Sequence, residues 1–277
     1  MNNPIWLIAN KEINDNIRNR WLLINSLLLL ILAFCVTFAG SAISGELVIQ
    51  SSANIISGLV TLSVFLLPLS AILLSYDSFV GEEESGTLLL MLTYPISRNQ
   101  FLLGKLLAHT TLMLFACLIG FVPAAIVLAN VSSITAMEIT LQFANFIISG
   151  LLLSMVFILL GYLVSLSVKE KAKALGLLLL LWFVVVLIYD LVLLASIVSL
   201  SEMLPRAWLN ALILFNPADV FRTINLSLFE TGNQVAKTAL MALSQTQLGL
   251  SVLYAFMLIW LLTLFGCCQL IFKRKTL

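Results

Sequence analysis

Six apolar runs, at residues 21–42, 54–76, 101–129, 143–168, 174–200 and 250–272, decide what this chain can fold into. Each is long enough to cross a hydrocarbon layer about 30 Å thick, which takes about 20 residues of helix. Lipid offers the backbone no hydrogen-bond partner, so each run has to satisfy its own N–H and C=O groups as a helix. Of the 277 residues 61% are hydrophobic and only 10% charged, against about 25% charged in a soluble domain. The expected fold class is therefore an all-α integral membrane protein, a single transmembrane domain over residues 1–277 with six transmembrane helices.

The distribution of Lys and Arg orients the spans, because cytoplasmic flanks collect them. With the N-terminus inside, that side holds Lys11, Arg18, Arg20, Arg98, Lys105, Lys169, Lys171, Lys173, Lys273, Arg274 and Lys275, leaving Arg206, Arg222 and Lys237 outside. Both termini are expected in the cytoplasm. The net charge of +1 gives no reason to expect a nucleic-acid partner; the partner implied directly is the lipid bilayer.

Ahead of the first span, Ile5, Ala9, Ile13 and Ile17 recur at helical spacing with Lys11, Glu12, Asp15 and Arg18 between them. That pattern predicts an amphipathic elbow helix over residues 4–20, lying in the membrane interface. Along the first span, Ala33, Thr37, Ser41 and Gly45 form a stripe of small residues that lets helices approach closely, within the chain or between subunits. Of the outer loops only the third, residues 201–249, is sizeable. Its apolar stretch 208–215 is too short to span and is expected to dip into the interface, and the Asn216-Pro217 step should end it and start a new segment.

Several chemistries lack their residues. There is no GxxxxGK[ST] phosphate loop, so the chain cannot cradle and hydrolyse a nucleotide itself. The single histidine, His109, allows neither an HExxH pair nor a histidine metal cluster and reads as structural. The four cysteines lie in apolar runs without a CxxC spacing. Met137, Met203 and Met241 form no MxxM cluster for Cu(I). No catalytic residue, cofactor or metal site is expected. Asp190, in LIYDLVLL, is the one acid well inside a span; a charge there costs about 2.5–3.5 kcal/mol on insertion scales, so it should face protein or water. It is a candidate gating or path residue, or simply a bond to a neighbouring helix.

The densest polar stretch, residues 77–97, falls between the second and third spans. Asp77 and Glu82, Glu83 and Glu84 stand where carboxylates favour a helix N-terminus. Leu88, Leu89, Met91 and Leu92 supply an apolar face, and Pro95 ends the segment. One short surface helix is expected, with Arg98 and Lys105 anchoring the next span at the headgroups. This stretch, EEESGTLLLMLTYPISRNQFLLGK, resembles the coupling segment of ABC-2 type transporter permeases, whose pattern is E-x-x-x-G-T, then Pro-x-x-Arg, then Gly-Lys. Glu82 or Glu83, Gly86, Thr87, Pro95, Arg98, Gly104 and Lys105 match it. The resemblance implies that Glu82, Glu83, Glu84, Gly86, Thr87, Pro95 and Arg98 couple the chain to a separate ABC ATPase subunit.

Three more stretches narrow the resemblance. IANKEINDNIRNRWLL, YDLVLLA and NPADVFRTINLSLFE are similar to the branch of that family that serves copper-site maturation in nitrous-oxide reductase. That likeness implies a homodimer in the inner membrane of a denitrifying Gram-negative bacterium. Two ATPase subunits would lie beneath it and a periplasmic copper-handling protein above it, docked on the third outer loop through Asn216, Pro217, Asp219 and Arg222. The cargo stays open among a sulfur-containing species, copper, and mechanical force alone. An exporter of a drug or lipid, an intramembrane enzyme and a non-transporting anchor are the alternative readings.

Overall fold

The computed structural model describes residues 4–44, 52–131, 135–200, 206–227 and 248–275. Among them there are helices and turns but no strand, as the need to satisfy the backbone inside lipid requires. All six expected spans are present as helices apolar and long enough to cross a membrane. They are α2 (Trp21–Ser44), α3 (Ser52–Ser75), α6 (Arg98–Val131), α7 (Ala136–Ser167), a composite fifth span, and α12 (Leu250–Arg274).

The fifth span is α8 (Lys171–Trp182), a π-helical segment Phe183–Ile188, and α9 (Tyr189–Leu200). A π turn inserts one residue into the helix and disturbs the i→i−4 ladder, and sequence reading gave no sign of it. Ahead of the first span, α1 (Pro4–Arg18) packs on α6 and α2. Gly104 of α6 makes that approach possible: a Cβ there would stand 2.8 Å from the Ile8 Cβ and 2.9 Å from the Ile5 carbonyl oxygen.

Packing orders the spans. In α3 and α7, 61% of the apolar stretch is buried within the chain, against 17% in the fifth span. The first two are therefore the centre of the bundle and the fifth is its edge. At Gly161 a Cβ would lie 2.0 Å from the Ser75 hydroxyl, so α3 and α7 touch at their shared end. Ala33 and Thr37 are buried inside the chain, on the helix that α6 meets at Leu29 and Gly120. This half of the small-residue stripe serves packing within the chain; the Ser41 side chain and Gly45 lie outside the description.

The third outer loop departs most from expectation. Its described part is a helical hairpin, α10 (Arg206–Phe215) and α11 (Pro217–Leu226), split at Asn216-Pro217 as the sequence predicts. The split is well built: the Asn216 side chain accepts from the Ala218 N–H at 3.0 Å, an N-cap bond, and Pro217 occupies the first helical position, where its missing N–H costs nothing. α10 keeps Trp208 and Phe215 exposed, but α11 does not rest at the surface. Asn216 sits beside Val185, 14 residues beyond Lys171 (185 − 171), or about 21 Å along the helix, near the middle of the fifth span. Pro217 through Asn225 are all buried, against α7, α12 and α3. Residues 201–205 and 228–247 of the expected loop lie outside the description.

Candidate functional site

The polar stretch between the second and third spans folds as two helices rather than one. α4 (Val80–Glu84) carries the three glutamates, and α5 (Thr87–Thr93) carries the leucines. Between them Gly86 has φ +71, a left-handed conformation open to glycine at no steric cost. Ser165 of α7 fixes the start of α4, its hydroxyl accepting from the Phe79 and Val80 N–H groups at 3.1 and 3.0 Å. Pro95 follows α5, whose closing residue Tyr94 is extended at φ −71, ψ 154, the conformation that a following proline favours.

Each glutamate of α4 reaches a different part of the bundle. Glu82 accepts from Lys105 of α6 at 2.9 Å and from Lys11 of α1 at 3.3 Å. Glu83 pairs with Lys275, just past the end of α12. Glu84 accepts from the backbone N–H of Lys171 at 2.8 Å, a carboxylate on the positive N-terminus of α8. Asp77, one turn earlier, pairs with the Lys171 side chain at 3.0 Å. Arg98 donates to the carbonyls of Phe272, Lys273 and Lys275, closing the C-terminus of α12. α1, the end of α12 and the two helices α4 and α5 therefore meet at one end of the bundle.

Lys105 is the centre of this array and corrects the sequence reading. Its side chain is 1% exposed, not at the headgroups. It donates to Glu12 of α1 and Glu82 of α4, each at 2.9 Å. Its ammonium lies 5.6 and 5.3 Å from the ring centroids of Phe79 and Phe101, within cation–π range. Glu12 continues the chain: its other oxygen is 3.4 Å from Nε2 of His109, whose Nδ1 is 2.5 Å from the Tyr162 hydroxyl of α7. Burial opposes ionisation of Glu12, but Lys105 and His109 beside it outweigh burial and hold its carboxyl below the usual range. Lys105 and His109 are four residues apart on one helix face, in line with the buried Leu112, Met113 and Ala116. That shared spacing was the available sign that both point inward.

The outward face of α5 is a different surface. Leu89, Leu90 and Tyr94 are 57%, 62% and 61% exposed, and Glu84, Gly86, Thr87 and Pro95 are exposed with them. Leu88 turns inward and is buried. The seven residues expected to couple thus separate. Glu82, Glu83 and Arg98 brace the bundle, while Glu84, Gly86, Thr87 and Pro95 lie on the exposed side. Beside them a cavity of about 170 Å³ opens between α1, α5 and α6, lined by Leu7, Ile8, Met91, Tyr94 and Phe101 among others.

At the far end Asp190 has the partner that the sequence did not disclose. Arg222 of α11 donates to both its oxygens, at 2.5 and 3.3 Å, and to Asp219 at 3.4 Å. Asp219 also accepts from Asn216 at 2.8 Å. Asn216, Asp219 and Arg222 are 2%, 1% and 3% exposed and Pro217 is buried, so all four expected docking residues face into their own bundle rather than onto a surface. One turn further along α11, a second polar group joins Asn225 to Asn145 and Ser149 of α7, and Tyr254 of α12 donates to Asn145 at 2.7 Å. Among the described residues no group of three His, Cys, Asp or Glu side chains is placed to hold a metal.

Comparison with known proteins gives this geometry a setting. A family model described as ABC-2 family transporter protein matches residues 6–277. The chain is 42% identical over 274 residues to a protein of Stutzerimonas stutzeri described as a probable ABC transporter permease protein, NosY, covering 99% of both chains. It is 41% identical over 272 residues, 98% of both chains, to the protein of the same description from Pseudomonas aeruginosa.

Proposed function

The chain belongs to the ABC-2 family of transporter permeases, and we propose from this that it is the transmembrane subunit of a transporter for copper-site maturation in nitrous-oxide reductase. The observation that carries this reading is the likeness to NosY permeases along nearly the whole chain. A segment shared with exporters in general would leave the cargo class open; likeness through the outer hairpin as well favours the maturation branch.

In this reading the chain sits in the bacterial inner membrane as a homodimer with both termini in the cytoplasm. A separate NosF-like ATPase docks beneath it and a NosD-like periplasmic copper-handling protein above it. The ATPase meets the outward side of α5, with Leu89, Leu90, Tyr94, Glu84, Gly86, Thr87 and Pro95. Glu82, Glu83 and Arg98 act one layer behind. Because their partners stand on α1, α6 and the α12 terminus, displacement of the elbow is delivered to several helices at once. ATP hydrolysis in the partner then does its work on the periplasmic side, as force passed to the copper-handling protein, as export of a sulfur-containing species, or as both.

The test is affinity purification of the tagged chain from its native membrane, followed by mass spectrometry. Recovery of an ATPase together with a periplasmic protein is the expected result. An ATPase alone keeps the permease and removes the maturation reading in favour of export of a drug or lipid. Loss of both partners, under conditions that preserve such complexes, overturns the coupling role.

A further inference from the structure

The fifth span and the outer hairpin are joined by contacts that bracket the π segment. Below its midpoint, Asn216 donates to the Val185 carbonyl at 3.0 Å, an oxygen inside the turns where the regular ladder is disturbed. Just beyond it, the Tyr189 hydroxyl donates to the Leu212 carbonyl at 2.8 Å and Asp190 takes both Arg222 bonds. Further out Leu193 is buried against Ile213. Among the described residues no comparable contact ties the π segment's outward side, where Phe183, Val184 and Ile188 stand exposed.

We propose that Asn216 and Arg222 are positioning residues that hold the fifth span in its π register, and that this register is one setting of a two-position latch between the fifth span and α11. A π turn carries one extra residue, and each residue of a helix turns it by about 100° and advances it by about 1.5 Å. Returning the segment to α register therefore rotates everything from Tyr189 outward by about that angle relative to α8. Asp190 then leaves Arg222, Leu193 leaves Ile213, and α11 loses its hold on the fifth span. In the present setting Asn216 occupies the Val185 carbonyl and stabilises the insertion, while the ion pair fixes the rotation of α9. The two contacts select the same register, so neither is a free-standing brace.

The permease reading supplies a use for such a latch, since α11 lies in the outer half of the bundle, but the latch itself is a property of this chain and is testable without any ATPase. Cys35 and Cys267, the exposed cysteines, are replaced by Ser, and single cysteines are placed at Leu193, beyond the bulge, and at Leu178, before it. Both positions are buried. Labelling by a small maleimide is then followed on the full chain in lipid nanodiscs. With the native hairpin both cysteines are protected. In Asn216→Ala and in Arg222→Gln, Leu193→Cys labels at least tenfold faster while Leu178→Cys stays protected, and Arg222→Lys, which keeps the charge, restores most of the protection. Unchanged protection of Leu193→Cys in both variants overturns the latch. Equal labelling of both cysteines also overturns it, because it reports general loosening rather than a rotation beginning at the π segment. A failed latch leaves the permease reading standing, and a chain that captures no ATPase leaves the latch standing.

Discussion

At the scale of single residues the decisive feature is that cations and acids are used inwardly. Lys105 is held by two carboxylates and two aromatic faces while almost fully buried. Removing one partner of a buried ionic group leaves the others uncompensated and typically costs about 3–5 kcal/mol. Lys105→Met should therefore lower the thermal stability of the purified chain markedly, measured by loss of monodispersity on heating. Adding Glu12→Gln and Glu82→Gln to it should recover part of that loss, since no unpaired acid then remains. Glu12 carries the pH dependence. Its folded carboxyl is held below the ordinary range, so its contribution is complete above the unfolded value near 4.5 and is lost as pH falls towards the folded one. The stability gap between the wild type and Glu12→Gln should shrink as pH falls below about 4.5. A gap that widens in acid would mean that Glu12 is not ionised in the folded chain.

At the scale of elements, the legible and illegible parts divide by the range of the signal. The six spans were readable because the requirement that makes them helical acts within each run. The Asn216-Pro217 break was readable because capping and the proline ring act locally. The 77–97 stretch was read as one helix because only Ser85, Gly86 and Thr87 stand between its acids and its leucines; the left-handed φ of Gly86 is what divides it in two. Arg222 as partner of Asp190 was beyond reach, since the pair is 32 residues apart and a ten-residue helix carrying Asp219, Arg222, Thr223 and Asn225 reads as a solvated surface helix rather than one that enters the bundle. The Leu89–Leu90 face of α5 was visible as apolar, but not as the side turned outward. If that face receives the ATPase, Leu89→Asp with Leu90→Asp should abolish ATPase capture without lowering the stability of the isolated chain, because neither side chain is buried. Glu82→Ala should do the reverse, weakening the chain itself before it weakens docking. Capture that survives the leucine changes would move the docking surface off α5.

At the scale of the whole molecule, orientation rests on charge asymmetry between the two ends. Lys11, Lys171, Lys275 and Arg98 gather where α1 and the end of α12 meet, and Lys105 is buried among them. At the far end Arg222 is buried in an ion pair and no longer counts as a loop charge, so of the cations expected outside only Arg206 and Lys237 remain. The asymmetry that orients a span counts loop cations close to the membrane, and the fold therefore sharpens it. A fluorescent reporter fused after Leu277 should mature in the cytoplasm, while alkaline phosphatase inserted between residues 230 and 245 should be active outside. The opposite pattern would place the α4–α5 elbow on the face where no ATPase works. Every coupling argument built on that elbow would then fail together, although the buried array around Lys105 and the hairpin held by Arg222 would remain as packing.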